Sequence, residues 1–114
     1  MTIDPENCMT MMEVRAGVDA VDRALMDLLS RRFGYMDAAA RIKTDKAAVR
    51  DEARKAQVIA NAVANSRIRG IPDALVADLW DRLVEGSIVY EHARFDALKV
   101  TNAPLPSPGR CIPE

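Results

Sequence analysis

The chain has 114 residues, and its 16 Lys and Arg nearly balance its 17 Asp and Glu, leaving a formal net charge of −1. A single domain is expected, since domains run from about 50 to 250 residues. The charge balance argues against a protein held to nucleic acid or a membrane surface by bulk electrostatics. No apolar run reaches the roughly 18 residues of a membrane span, and the acidic start is unlike a signal peptide, so we expect a cytoplasmic protein.

The residue inventory predicts neither a metal nor a cofactor. Cys8 and Cys111 lie near opposite ends of the chain, without the close spacing of a metal site or a redox pair, so we expect free thiols. His92 is the single histidine and has no partner at metal-ligand spacing. No phosphate-binding glycine loop or nucleophile–base pair is recognisable. An enzyme with this inventory would work by positioning and electrostatics.

The first predicted element is a very long helix from Thr10 to Lys43. Its length would be about 50 Å at about 1.5 Å per residue, whereas a compact domain of this size has a radius of gyration of about 13 Å. Alternating spacings of four and three define an apolar seam, which is typical of a helix that packs against another helix. The seam consists of Val14, Val18, Val21, Leu25 and Leu28. Because such a helix would project beyond a monomeric core, we predict a homodimer.

A second helix is predicted from Asp51 to Arg69, after the periodic pattern pauses at "TDKAAVRD". Asp51 suits an N-terminal cap or a place in the first turn. The sequence "GIPD" ends this helix, because Gly70 suits a left-handed C-terminal position and Pro72 prevents continuation.

A third helix is predicted from Ala74 to Lys99. The tail that follows is rich in proline and has no period, so we expect it to be irregular. The sequence therefore predicts an all-α chain of three helices, with an N-terminal extension at 1–9, a helical domain at 10–100 and the tail at 101–114.

Several cations fall at positions that favour a shared site. Arg32 and Lys43 are eleven residues apart, which at about 100° per residue places them on nearly the same face of the first helix. Arg15 lies inside the apolar seam, and an antiparallel dimer would bring it near the end of the partner's helix. Arg54 and Lys55 can point into the same region as Lys43 once the chain turns back. The alternative is a solvated face of ordinary surface charges.

A carboxylate lies where the third helix should be apolar. Ser87 and Glu91 are four residues apart on the stripe that contains Trp80, so we expect both to be partly buried. A buried carboxylate is costly alone, so Glu91 must meet a cation, be protonated or hydrogen-bond a ligand. The alternative is a surface salt bridge from Glu91 to Arg94 or Lys99.

Four motifs in order, "VRAGVDAVDRALMDLLSRR", "ARIK", "VRDEAR" and "EGSIVYE", carry a resemblance to a known family. Together they resemble the all-helical chorismate mutases and their close relatives, the isochorismate pyruvate lyases, over roughly residues 8–100. The resemblance implies an intertwined homodimer of three-helix chains without a cofactor. It also implies a small cyclic dicarboxylate substrate that carries an enolpyruvyl ether.

The resemblance implies roles for the cations by position. Arg15 looks like the arginine that reaches into the partner's site, and Arg32 and Arg54 look like the carboxylate-binding arginines of the same chain. Lys43 looks like the lysine that hydrogen-bonds the ether oxygen.

Four further positions bear on the resemblance. Asp51 resembles an aspartate that lines the family's site, and Ser87 resembles a serine close to the ring carboxylate. Lys55 departs from the best-known bacterial mutases, which carry there a glutamate that binds the ring hydroxyl. Glu91 stands where they carry a glutamine facing the ether oxygen, and it would assist only when protonated, because an ionised carboxylate repels a developing oxyanion.

The function implied first is chorismate mutase, which rearranges chorismate to prephenate. Isochorismate pyruvate lyase, which forms salicylate and pyruvate, is the alternative, and both Lys55 and the N-terminal "ENCMTMMEVR" favour it. A non-catalytic helical dimer that retains the scaffold is the third interpretation. The predicted catalytic residues are Lys43, Glu91 and Arg54. The predicted substrate-binding residues are Arg15, Arg32, Asp51, Ser87 and Lys55.

Overall fold

A computed structural model describes residues 2–100. The α-helices are α1 (Met11–Ile42), α2 (Glu52–Ile68) and α3 (Asp73–Val100), and short 3₁₀ helices occupy Pro5–Asn7 and Lys46–Ala48. No strand occurs within the described part of the chain, so the all-α prediction is confirmed, and each predicted helix end is within one residue of the observed one. The predicted irregular tail and Cys111 lie outside the described residues.

The chain divides into two compact units within α1, between Tyr35 and Met36. In the first unit, Thr10 and Glu13 form a capping box at the start of α1. The Thr10 hydroxyl accepts the N–H of Glu13 at 3.2 Å, while the Glu13 carboxylate accepts the N–H groups of Thr10 at 3.1 Å and Met9 at 2.7 Å. These contacts satisfy donors that a helix start leaves without intrahelical partners. They also hold the pKa of Glu13 below its ordinary value, chiefly through the Met9 N–H.

The apolar seam of α1 is exposed along its whole length. The exposed fractions are 38% for Val14, 52% for Val18, 58% for Val21, 50% for Leu25 and 62% for Leu28. A contiguous apolar stripe of this kind marks an interaction surface more often than a solvated one. That a second chain covers the seam stays a prediction.

The core of the second unit forms where α2 and α3 pack together with the segment that precedes α2. Val84 and Ile88 of α3 are buried with Val49 of that segment, and Val58 of α2 packs against them. Because Val49 is only 4% exposed, the segment between α1 and α2 is anchored to α3 by an apolar side chain.

The turn between α2 and α3 is set by Gly70, whose φ of 71° lies in the left-handed region, as predicted. The N–H of Ile71 donates to the carbonyl of Ser66 at 2.9 Å, and the N–H of Gly70 donates to that of Arg67 at 3.3 Å. This pair of bonds is the Schellman arrangement, which satisfies the last carbonyls of a helix. Pro72 follows directly, so α2 cannot continue and the chain turns back as α3.

Candidate active site

Lys43 and Glu91 form the centre of the candidate site, in the second unit. Lys43 follows the last residue of α1, and its Nζ lies 2.8 Å from Oε2 of Glu91 on α3. The Glu91 side chain is 5% exposed and that of Lys43 is 30% exposed. A carboxylate this buried requires a compensating cation. The prediction that Glu91 is buried is confirmed, and its cation is Lys43 rather than Arg94 or Lys99.

This pair places an oriented ammonium group at a partly open position. An ammonium carries three N–H donors, and one of them points to Glu91. Because the Lys43 side chain remains partly exposed, a ligand can approach the ammonium while the carboxylate fixes its direction. A cation held in advance in this way is suited to stabilise negative charge that develops on a bound oxygen.

Ser87 lies one turn before Glu91 on α3 and is buried, as predicted, with 4% of its surface exposed. Its hydroxyl donates to the carbonyl of Leu83 at 2.7 Å, which fixes the side chain against its own helix. A contact between Ser87 and a substrate carboxylate stays a prediction.

The segment between α1 and α2 is attached to α3 at more than one point. Asp45 starts its 3₁₀ turn by accepting the N–H of Ala47 at 2.9 Å. Lys46 forms an exposed ion pair with Asp96 at 2.8 Å, and Val49 enters the core. The segment is therefore structured along its length, and it leads from Lys43 to the start of α2.

Arg50 and Lys55 both contact Glu85 of α3. The Arg50 guanidinium donates to the two Glu85 oxygens at 2.7 and 3.1 Å, and Lys55 Nζ lies 2.7 Å from Glu85 and 3.0 Å from Asp81. Arg50, and then Lys55, lower the pKa of Glu85 to about 2. Glu85, and then Asp81, raise the pKa of Lys55. Substrate contact by Lys55 stays a prediction, and it would compete with these two carboxylates.

Asp51 and Arg54 meet at the start of α2. The Asp51 carboxylate accepts the N–H of Arg54 at 2.9 Å, so the prediction that Asp51 caps the helix is confirmed. The Arg54 guanidinium donates to Oε1 of Gln57 at 2.7 Å on the exposed surface of α2. That Asp51 lines a site and that Arg54 binds a carboxylate stay predictions.

Arg15 and Arg32 lie on α1 in the first unit, where Arg15 is exposed and Arg32 is half-buried. Arg15 stands beside Val14 of the exposed seam. The predicted contact of Arg15 with a partner chain and of Arg32 with a substrate carboxylate stay predictions.

A second polar cluster escaped the sequence analysis. The Tyr90 hydroxyl donates to Oδ1 of Asp37 at 2.7 Å, and Arg94 Nε lies 3.0 Å from the same oxygen. Burial raises the pKa of Tyr90, and the hydrogen bond to Asp37 raises it further. Tyr90 and Arg94 are spaced as neighbours on one helix face and flank Glu91 in the sequence. That spacing could have marked Tyr90 and Arg94 as neighbours, but it gives no indication of Asp37, which lies on another helix.

Other kinds of site find little support. No group of three or more His, Cys, Asp and Glu side chains among residues 2–100 is arranged to hold a metal ion. No helix in the same range combines the length and apolar character needed to cross a membrane. An open groove on α3 is lined by Asp78, Asp81, Arg82 and Glu85, and its excess of carboxylates disfavours an anionic ligand.

Comparison with known proteins agrees with the motifs. The chain matches the family described as chorismate mutase type II over residues 14–92, a range that includes every candidate site residue from Arg15 to Glu91. It is also similar to the isochorismate pyruvate lyase of Pseudomonas aeruginosa, with 26% identity over 80 residues, which cover 70% of this chain and 79% of the relative. The chain therefore belongs to the chorismate mutase type II family.

Proposed function

We propose that this member of the chorismate mutase type II family catalyses the pericyclic rearrangement of chorismate to prephenate. The observation that carries the proposal is the Lys43 ammonium, held 2.8 Å from the buried Glu91. In this reaction the C–O bond breaks ahead of C–C formation, which leaves negative charge on the ether oxygen. A cation aimed at that oxygen binds the transition state more strongly than the substrate, which is the condition for acceleration.

The remaining cations would bind the substrate and restrict its conformation. Arg15 of a partner chain and Arg54 would hold the side-chain carboxylate, since a guanidinium fork suits bidentate contact with a carboxylate. Arg32 would help to fix the compact reactive conformer, which lowers the entropic part of the barrier. Asp51 and Ser87 would line the site near the ring, with Ser87 close to the ring carboxylate.

The homodimer belongs to the same proposal. The exposed seam of α1 has the spacing of a helix that packs on a helix, and a second copy of α1 would cover it. In an antiparallel pair, the start of one long helix lies near the end of the other. Arg15 of one protomer would then approach Lys43 of its partner, so that each site is completed by both chains.

Glu91 has a conditional part in this mechanism. Glu91 accepts a hydrogen bond from Lys43, and an ionised carboxylate beside the ether oxygen would oppose the developing charge. Direct assistance from Glu91 therefore requires the protonated carboxyl, which can donate to the ether oxygen. Without that proton, Glu91 serves to orient Lys43.

Isochorismate pyruvate lyase activity is the second candidate function. The relative from Pseudomonas aeruginosa carries that name, and Lys55 stands where the best-known mutases carry a glutamate. A lysine offers no carboxylate to a ring hydroxyl at this position, and its ammonium group is held by Asp81 and Glu85. Elimination of pyruvate breaks a C–O bond to the same kind of ether oxygen, and Lys43 would serve either reaction.

The deciding experiment supplies chorismate and isochorismate separately and follows loss of chorismate absorbance and appearance of salicylate fluorescence. We expect chorismate turnover, with a fall in kcat of about 10²–10³ for Lys43→Ala, since that is the usual effect of removing a group that stabilises an oxyanion. Lys46→Ala is the matched control, because Lys46 lies on the same segment and pairs only with the exposed Asp96 in the described contacts.

Other outcomes identify the competing functions. Salicylate from isochorismate, without chorismate turnover, would make the protein a lyase. Inactivity toward both compounds, with no rise in Tm when either is added, would favour the non-catalytic dimer, since a ligand at 100 times its Kd stabilises by about 2.7 kcal/mol.

A further inference from the structure

The last part of α1, residues 36–42, belongs to the second unit and buries little apolar surface. Among the residues of α1, the buried one is Ala40, which is 3% exposed and contributes a single methyl group. Met36, Ala38 and Ala39 beside it are only half-buried. Because apolar contact is non-directional, these partial contacts do little to prevent the helix from rotating or sliding. Directional polar contacts must therefore decide where this end of α1 lies.

Asp37 and Lys43 are placed to fix the position of this end of α1. They lie three residues before and three residues after Ala40, which at about 100° per residue puts them about 60° to either side of the buried methyl. They are about 9 Å apart along the helix axis, at about 1.5 Å per residue. Two contacts at different heights and on different sides restrict both rotation and sliding, which one contact cannot do.

The partners of both side chains lie on one stretch of α3. Tyr90 and Arg94 contact Asp37, and the adjacent Glu91 contacts Lys43. A displacement of Asp37 against this stretch would therefore also displace Lys43 against Glu91. The position of one contact therefore depends on the other, although only the Lys43–Glu91 contact contains the proposed catalytic cation.

Two side chains of α3, Tyr90 and Arg94, contact the Asp37 carboxylate. The Tyr90 hydroxyl donates a charge-assisted hydrogen bond to Asp37 Oδ1 at 2.7 Å, a kind of contact that is stronger than a neutral one. Arg94 Nε lies 3.0 Å from the same oxygen as an ion pair, without a hydrogen bond to it. A phenol with an ordinary pKa of about 10 already keeps its proton at neutral pH, and burial raises the pKa of Tyr90 further, so its hydroxyl remains a donor. The side chains of Arg94 and Asp37 are 41% and 33% exposed, against 49% and 55% for Lys46 and Asp96, so the Asp37 pair is the less solvated of the two.

We propose that Asp37 is a positioning residue for the reaction, which holds the end of α1 through Tyr90 and Arg94 so that Lys43 presents its ammonium beside Glu91. This inference rests on the proposed function of Lys43. Asp37 does not touch the substrate in this scheme. A misplacement of about 1 Å can lower a rate about hundredfold, so loss of the contact should reduce kcat and leave KM nearly unchanged.

The test places Asp37→Asn and Tyr90→Phe in the parent protein and in a Lys43→Ala background. In the parent, each is expected to lower kcat about tenfold to hundredfold at similar KM. In the Lys43→Ala background neither should lower the residual rate further, because no ammonium is left to position. Asp96→Asn is the matched control, since Asp96 lies on α3 with Tyr90, and it should leave kcat and KM unchanged in both backgrounds. An equal loss of kcat in both backgrounds, or no loss in the parent, would overturn the proposal.

A second readout needs no activity at all. The side-chain ammonium of Lys43 is followed by ¹H–¹⁵N NMR in the ligand-free protein, with its signal assigned by disappearance in Lys43→Ala. We expect the signal to persist in Asp96→Asn and to broaden or vanish in Asp37→Asn and Tyr90→Phe, while circular dichroism shows that each variant is folded. If neither substrate is turned over but the signal responds in this way, positioning by Asp37 stands and the proposed function fails. An unchanged signal in both variants would sink the positioning role, whatever the activity.

Discussion

The two units of the chain differ in the exposure and pairing of their side chains. In the first, α1 presents an exposed apolar seam, whose members from Val14 to Leu28 are 38% to 62% exposed. In the second, even a buried carboxylate has its partner, since Glu91 meets Lys43 at 2.8 Å. Apolar surface in water favours association, whereas paired charges fix geometry. We therefore propose that the seam of the first unit forms the dimer contact and that the Lys43–Glu91 pair of the second unit is central to the chemistry.

The largest expected effect comes from placing a charge in the seam. Leu25→Asp would put a carboxylate into the proposed helix–helix interface, where its burial is costly. We expect the parent to sediment as a dimer and Leu25→Asp as a monomer, with loss of catalytic activity because Arg15 no longer reaches a partner. Ala16→Asp is the control, since Ala16 lies nine residues earlier, about 180° away on the helix. A monomeric parent, or a dimeric Leu25→Asp protein, would contradict the assignment of the seam to assembly.

A smaller effect is expected when the central pair of the second unit is broken. Lys43→Ala leaves the Glu91 carboxylate buried without its cation, which should destabilise the protein by about 1–3 kcal/mol, a range kept low because the Lys43 side chain is 30% exposed. The added change Glu91→Gln removes the stranded charge and should recover part of the loss. Urea unfolding at neutral pH measures both. If the double variant is less stable than Lys43→Ala alone, the two side chains are not coupled as described.

The smallest effect concerns the exposed network around Glu85. Its pKa is lowered from 4.5 to about 2 by Arg50 and then Lys55, so the folded protein holds this carboxylate ionised more firmly than the unfolded chain does. The stabilisation is present above pH 4.5 and is lost as the pH falls through about 2. Thermal unfolding of Glu85→Gln should show a Tm below the parent's at pH 7, with the two converging as the pH approaches that lower value.

A control separates this effect from general acid destabilisation. Glu52→Gln removes the other carboxylate that contacts Arg50, at 2.9 Å on a side chain that is 69% exposed, and should change the Tm less than Glu85→Gln does. A constant difference in Tm between Glu85→Gln and the parent from neutral to acid pH would show that the carboxylate's charge is not the source of the stabilisation.

The helix ends could be predicted because each is set by residues close to it in the sequence. Asp51 and Gly70 act on backbone groups within a few positions of themselves, and the "TMME" that begins α1 has the capping-box pattern formed by Thr10 and Glu13. Propensity and capping therefore agree with the final fold. This agreement is why each helix end lies within one residue of its prediction.

The partners of the charged side chains were less predictable. The burial of Glu91 follows from its place on an apolar stripe, but its pairing with Lys43 joins residues 48 apart in sequence. The contact of Asp37 with Tyr90 spans 53 residues. Such contacts depend on the path of the chain between the helices, and that path is set by packing. Arg94 and Lys99, the partners of Glu91 in the alternative prediction, are close to it in sequence, whereas the observed partner is Lys43.

Because Val49 is buried, the connection between α1 and α2 should tolerate high salt better than it would with charged contacts alone. At about 1 M ionic strength the Debye length falls to about 3 Å, so exposed pairs such as Lys46–Asp96 are largely screened. Burial of an apolar side chain is not weakened by screening, and Val49 is only 4% exposed. Amide hydrogen exchange around Val49 should therefore remain slow in concentrated salt. The connection beside the candidate site is held by a contact that does not respond to the ionic composition of its surroundings.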